Sequence, residues 1–226
     1  MELRLIVGDT ETTGPTTHDK VCEIAWVEID RNFEVIHQVR SLIDPQMPIS
    51  AGASGVHGIE DKDVAEAPTI EQFFGEVMPG ALDGSVCLIA HNVIFDRRYF
   101  EPFIPSLAAE VCTLRLARRA FPEAENHKLA TLMYALSLDR GESHSALGDV
   151  ITCLSLLRKI SERLGKGIDE LAAESLKPIW VENMPFGAHR GKPVRALEAG
   201  YKRWLSKLPD LDRDLRWTLE EIAAGR

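Results

Sequence analysis

Cysteine is sparse in this chain and scattered. Cys22, Cys87, Cys112 and Cys153 never come closer than 25 positions, which excludes a C-x-x-C metal knuckle or redox dithiol and leaves buried, reduced thiols as the expectation. Long apolar runs are missing as well. The longest stretch free of Asp, Glu, Lys and Arg runs from Pro45 to Ile59 and is rich in proline, glycine and serine, which makes no membrane span. Glu2 and Arg4 precede a short strand-like run, so the start has no signal-peptide core and a cytoplasmic protein without membrane partners is expected. Basic residues are outnumbered, 26 Lys and Arg against 35 Asp and Glu, for a net charge of −9. With 45% apolar residues in 226, the chain is neither disordered nor fibrous, and it is long enough to bury a core without disulfides.

The acidic average hides an uneven distribution. Phe186 to Lys207 carries six basic residues against the single acid Glu198, and Arg97 to Arg119 carries five Arg against Glu101 and Glu110. Such segments suit a polyanion held beside a carboxylate-rich centre, and they suit solvated helix faces equally well.

Periodicity sketches the fold. Leu3 to Val7 reads as a buried strand that delivers Gly8 and Asp9 at its end, and Val21 to Ile29 and Phe33 to Ile43 read as two further strands joined by the turn Asp30-Arg31-Asn32. Pro45 to Pro68 is a long connection with one helical piece at Glu60 to Ala65, Ile70 to Val77 is helical, and Val86 to Ala90 is another buried strand. Beyond Asn92 the period becomes helical, with Phe95, Tyr99 and Phe103 four apart, then Leu114 to Ala120 and Leu129 to Leu136. Ala146 to Leu164 predicts a long helix capped by Ser145. The expected class is α/β with a mixed sheet. A break at Gly165-Lys166-Gly167 divides the chain into a main domain over 1–165, a linker over 166–175 and a basic, aromatic extension over 176–226 that holds three of the four Trp.

Five side chains carry the candidate chemistry. Asp9 and Glu11 are i and i+2 on a strand, so both carboxylates leave the same face, an arrangement that is costly unless a cation neutralises it. Thr12-Thr13-Gly14 turns the chain behind them. Asp96 ends the run His91-Asn92-Val93-Ile94-Phe95-Asp96 after a buried strand, where capping of a helix is the structural alternative. His144 lies just outside the long helix and Asp149 about a turn inside it, with small Ala146 and Gly148 between them; an Asp there also suits the helix dipole.

In this order, D-x-E-T-T-G, H-N-x-x-F-D and H-x-A-x-x-D resemble the three motifs of the DEDDh family of 3′–5′ exonucleases, with no acid replaced. The resemblance covers roughly residues 1–165. The tail run Phe186-Gly187-Ala188-His189-Arg190-Gly191-Lys192, followed by Gly200-Tyr201-Lys202-Arg203-Trp204-Leu205, is similar to the C-terminal extension of the exodeoxyribonuclease X branch of that family. The family implies an RNase H-like fold, a mixed five-stranded sheet flanked by helices, with a small helical C-terminal extension here. It implies two Mg²⁺ ions, replaceable by Mn²⁺, held by Asp9, Glu11, Asp96 and Asp149, with Asp9 bridging both and His144 as general base. It also implies DNA 3′ ends as substrate, released as nucleoside 5′-monophosphates in repair or end processing. Thr10, Thr12 and Asn92 are candidates for holding the terminal nucleotide, Val56-His57-Gly58-Ile59 for an apolar wedge on its base, and Arg190 and Lys192 for the phosphate backbone.

Three other readings compete. An exoribonuclease of the same fold differs only in how it meets the 2′-hydroxyl. An aspartate-nucleophile phosphatase wants Asp where Glu11 stands. A non-catalytic nucleic-acid-binding module leaves four acids and a His without purpose. Oligomeric state is open, a homodimer among the options.

Overall fold

The computed structural model describes residues 3–141 and 145–226. Its described chain forms two compact units, one ending at Ser175 and one spanning Leu176–Arg226.

The first unit is built on one sheet of five strands in the order β3-β2-β1-β4-β5. Strands β1 (Leu3–Thr12), β2 (Val21–Ile29) and β3 (Val35–Leu42) form an antiparallel meander, and β4 (Ser85–Ala90) and β5 (Ser106–Cys112) add in parallel beyond β1. Alternation along β1 assigns its faces. Leu5 and Val7 sit in one apolar layer with Val150, Cys153, Leu154 and Leu157 of helix α7 (Ala146–Leu164), whereas Ile6 sits in the other with Trp26, Phe73, Phe74 and Phe100. Both faces are covered, so β2 is buried along nearly its whole length rather than on alternate residues.

Between strands run α1 (Ala51–His57), α2 (Asp61–Val64), α3 (Ile70–Gln72) and α4 (Val93–Phe100); after β5 come α5 (Thr113–Ala120), α6 (Leu129–Ala135), α7 and α8 (Ile168–Ser175). The helical reading of Ile70 to Val77 becomes α3 followed by a wider π turn at Phe73–Val77.

Three expectations need correction. The connection before Pro68 holds two helices, not one. The small residues of α1 have no apolar period, but Ser50 caps its start by accepting from the Ala53 amide at 3.2 Å, and Gly58 closes it at φ 76°. Ser106–Cys112 is a strand although its Leu, Ala and Glu content favours helix, because pairing with β4 outweighs propensity. The segment 166–175 is not a linker. It carries α8, whose Ile168 and Leu171 are buried in the α7-side core.

The Leu176–Arg226 unit has its own small core of Met184, Val194, Leu197, Leu205, Leu211, Leu215 and Leu219. Two helices, α9 (Ala199–Leu205) and α10 (Arg213–Ala223), frame it, and Asp212 caps α10 through the amides of Asp214 and Leu215. No helix among the described residues is long and apolar enough to cross a membrane.

Candidate active site

Strand parity puts Asp9 and Glu11 on the Val7 face, towards α7. Ser145 starts that helix by accepting from the Gly148 amide at 3.1 Å, which sets Asp149 in the first turn. One carboxylate oxygen from each of Asp9, Glu11 and Asp149 lies within 4.8 Å of the other two. Charges so placed raise the proton affinity of Asp9 and Glu11. Asp9 is held well above the usual carboxylate range, first by burial and then by the charges of Asp96, Asp149, Glu11 and Glu23. Glu11 is pushed up to about 7 by burial, with Asp149 the largest charge contribution. An all-oxygen set of clustered carboxylates fits a hard divalent cation.

Asp96 approaches from the other side. It lies in the first turn of α4, 2% exposed, and its Oδ1 accepts from the Thr10 amide at 3.1 Å and the Thr10 hydroxyl at 2.9 Å. These two bonds run to β1, so Asp96 ties α4 to the strand that carries Asp9 and Glu11. Burial raises its pKa and the two Thr10 bonds lower it in part. Gly8 makes the approach of α4 possible, since a Cβ there would stand 2.7 Å from Phe100 Cζ.

The remaining candidates divide. Thr10 and Thr12 are buried beside the acids, Thr12 donating its hydroxyl to the Gly14 carbonyl at 2.8 Å. Asn92 is exposed at φ 72° ahead of α4 and lines a cleft of about 550 Å³ with Arg118, His127 and Lys128. His57 is buried, not a surface wedge. Its Nδ1 accepts from the Ile59 amide at 3.1 Å, which leaves Nε2 to donate to the Thr12 carbonyl at 3.2 Å, so the ring ties α1 to the end of β1. The exposed apolar residue of that turn is Val56, at 59%. His144 lies outside the described residues. Arg190 and Lys192 belong to the Leu176–Arg226 unit, where both are exposed.

Sequence reasoning missed Glu23. It stands opposite Glu11 on β2 and is fully buried. Its Oε1 accepts from Arg40 Nε at 2.5 Å and its Oε2 from the Ala146 amide at 2.8 Å. That second bond fixes the first residue of α7 to the sheet and so sets where Asp149 falls. The available signal was a lone acid inside the apolar run Val21–Val27, which globular proteins bury only when it is paired. Arg98 was missed too. Its guanidinium lies over the rings of Phe95 and Tyr99 at 4.3 and 4.6 Å, and its charge lowers the pKa of Asp96.

The exonuclease (RNase_T) family model matches residues 6–157. The chain belongs to the exonuclease family. Exodeoxyribonuclease 10 of Escherichia coli (strain K12) is 33% identical over 227 residues, covering 96% of this chain and 97% of the relative. DNA polymerase III PolC-type of Bacillus subtilis (strain 168) is 29% identical over 178 residues, 74% of this chain but 12% of the relative. Among solved structures, exonuclease X in complex with 5′ overhanging duplex DNA superposes with a TM-score of 0.62 at 29% identity, over 77% of this chain and 99% of that one. The nuclease domain of 3′hExo, a DEDDh family member bound to rAMP, shares the fold at a TM-score of 0.58 and 16% identity, over 70% of this chain and 92% of that one. The α/β fold is therefore the RNase H-like fold of DEDDh exonucleases, and the protein is a hydrolytic nuclease with a site suited to divalent metal.

Proposed function

We propose that the protein is a 3′–5′ exodeoxyribonuclease that shortens DNA one nucleoside 5′-monophosphate at a time. The observation that carries this reading is the meeting of Asp9, Glu11 and Asp149 at one point, with Asp96 buried against Thr10 behind them. Likeness along nearly the whole length of a relative named exodeoxyribonuclease supports DNA as substrate.

In this reading the four acids hold two Mg²⁺ ions, for which Mn²⁺ substitutes. When bound, the ions supply an acidified water and charge for the departing oxygen. His144 accepts the proton of the attacking water as its oxygen bonds to phosphorus and the P–O3′ bond breaks, and the departing 3′-oxygen takes a proton from solvent, leaving a 3′-hydroxyl on the shortened strand. Thr10, held by Asp96, and Thr12, held by Gly14, present backbone beside the acids to the terminal sugar. Asn92 is assigned to holding the nucleotide from the cleft it shares with Arg118, His127 and Lys128, and Val56 replaces His57 as the apolar residue that meets the last base. In this reading the protein acts in the cytoplasm, in repair or end processing.

The test is digestion of matched 5′-end-labelled DNA and RNA oligomers with Mg²⁺ and with chelator. Stepwise loss from the DNA 3′ end, release of 5′-monophosphates, and silence of Asp9→Ala are expected. Faster decay of the RNA would replace DNA by RNA as substrate, and full activity of Asp9→Ala would remove that residue from the site.

A further inference from the structure

The Leu176–Arg226 unit presents aromatic rings to solvent that its own core does not use. Trp204 is 53% exposed and Phe186 41% exposed, although this small core leaves little apolar surface to spare. The rings are ordered side by side. His189 meets Tyr201 at 4.5 Å between centroids, and Tyr201 meets Trp204 at 5.3 Å with their planes tilted by 33°. Tyr201 and Trp204 are i and i+3 on α9 and so share a face. The loop carrying Phe186 and His189 is fixed over them. Met184 donates its amide to the Lys192 carbonyl at 2.9 Å, the Gly191 amide donates back to Met184 at 2.8 Å, and a Cβ on Gly187 (φ 71°) would lie 3.8 Å from the Tyr201 hydroxyl. His189 Nδ1 is buried with no hydrogen-bond partner among the described residues.

Charge surrounds the rings. Arg190, Lys192, Arg203 and Lys207 are exposed on the same loop and helix end, and none has an ion-pair partner among the described residues. The unit holds ten Lys and Arg against seven Asp and Glu, while the rest of the chain holds 16 against 28. A nuclease whose main body is this acidic needs its attraction for a polyanion from elsewhere. Open π-faces beside unpaired cations, with Glu198 the single acid between Phe186 and Lys207, are the complement of unstacked bases on a phosphate chain, whereas paired duplex would offer phosphates but hide the base faces.

We propose that the Tyr201–Trp204 face binds single-stranded DNA, its bases stacking on Trp204 and Phe186 and its phosphates meeting Arg190, Lys192, Arg203 and Lys207. The choice of DNA rests on the nuclease reading; the stacking and charge do not. The full chain in chelator, where nothing is cleaved, is titrated into fluorescein-labelled dT20, rU20 and a blunt 20-base-pair duplex, with anisotropy as the signal. Trp204→Ala is expected to weaken dT20 binding roughly 5- to 100-fold with an unchanged melting temperature, and Trp204→Phe to restore most of it. Arg190→Glu with Lys207→Glu is expected to lower the slope of log affinity against log salt by about one to two. Unchanged dT20 affinity in Trp204→Ala overturns the proposal. An equal loss for the duplex overturns its single-strand character, and a larger loss for rU20 makes RNA the ligand instead. Hydrolysis of thymidine 5′-monophosphate p-nitrophenyl ester by the wild-type chain with Mn²⁺ checks the nuclease reading separately, and its failure would leave the dT20 result to decide this one.

Discussion

Replacing Glu11 by Gln keeps the shape of the side chain and removes one negative charge from the cluster. In the folded protein Glu11 is pushed from 4.5 up to about 7 by burial and by its acidic neighbours. A carboxylate whose pKa rises on folding binds more protons in the folded state between those two values. It therefore costs nothing below pH 4.5, costs progressively more as pH climbs, and exerts its full cost above pH 7. That difference corresponds to roughly 3 kcal/mol, and because Glu11 is only partly buried, solvent screening reduces it to about 2 kcal/mol. Without metal at pH 8, Glu11→Gln is thus expected to melt roughly 4–8 °C above the wild type, and at pH 4 to melt with it. Divalent metal should reverse the order. Mn²⁺ at about a hundred times its dissociation constant adds roughly 2.7 kcal/mol to a chain that binds it, and the variant lacks one ligand. Thermal melts followed by circular dichroism at pH 4 and pH 8, in chelator and in Mn²⁺, measure all four states. A variant that melts at or below the wild type at pH 8 in chelator would refute the idea that these acids repel one another in the fold.

Other perturbations separate the parts of the site. Glu23→Ala strands the Ala146 amide and removes one ion pair of Arg40, and is expected to cost about 3 kcal/mol in urea titration together with loss of Mn²⁺ affinity; calorimetric Mn²⁺ binding equal to the wild type would remove Glu23 from the support of Asp149. Gly141→Ala places a Cβ 2.7 Å from Gly148 Cα, so about 1–3 kcal/mol of stability should go as the chain is pushed off the start of α7, again read in urea. His144→Ala should lower kcat by roughly 10²–10⁴ with KM little changed, the usual loss of a general base, and an unaltered kcat in steady-state assays would demote it.

Much of the site was legible because it follows from short-range rules. A two-residue period sends Asp9 and Glu11 to one face whatever that face packs against, and a Ser145 cap with an apolar stripe behind it starts α7 where the structure has it. The acids therefore declared themselves in order. The contacts that hold them did not. Thr10 and Asp96 are 86 positions apart, and Glu23 and Ala146 are 123 apart; neither pair has a pattern along the chain that announces it. His57 looked available as a wedge because its sequence neighbours are apolar and small, and only the arrival of the Thr12 carbonyl on its Nε2 removes it from the surface.

Strand β5 and helix α8 mark the same boundary in the fold. Ser106–Cys112 has helix-forming composition and becomes a strand only when the free edge of β4 accepts it, and the 166–175 segment looked like a linker until the α7-side core buried Ile168 and Leu171. Local spacing thus determined by itself which residues carry charge and which face of an element they leave. The tertiary structure alone decided which charges meet, because burial and long-range hydrogen bonds depend on segments whose separation along the chain holds no record of their contact.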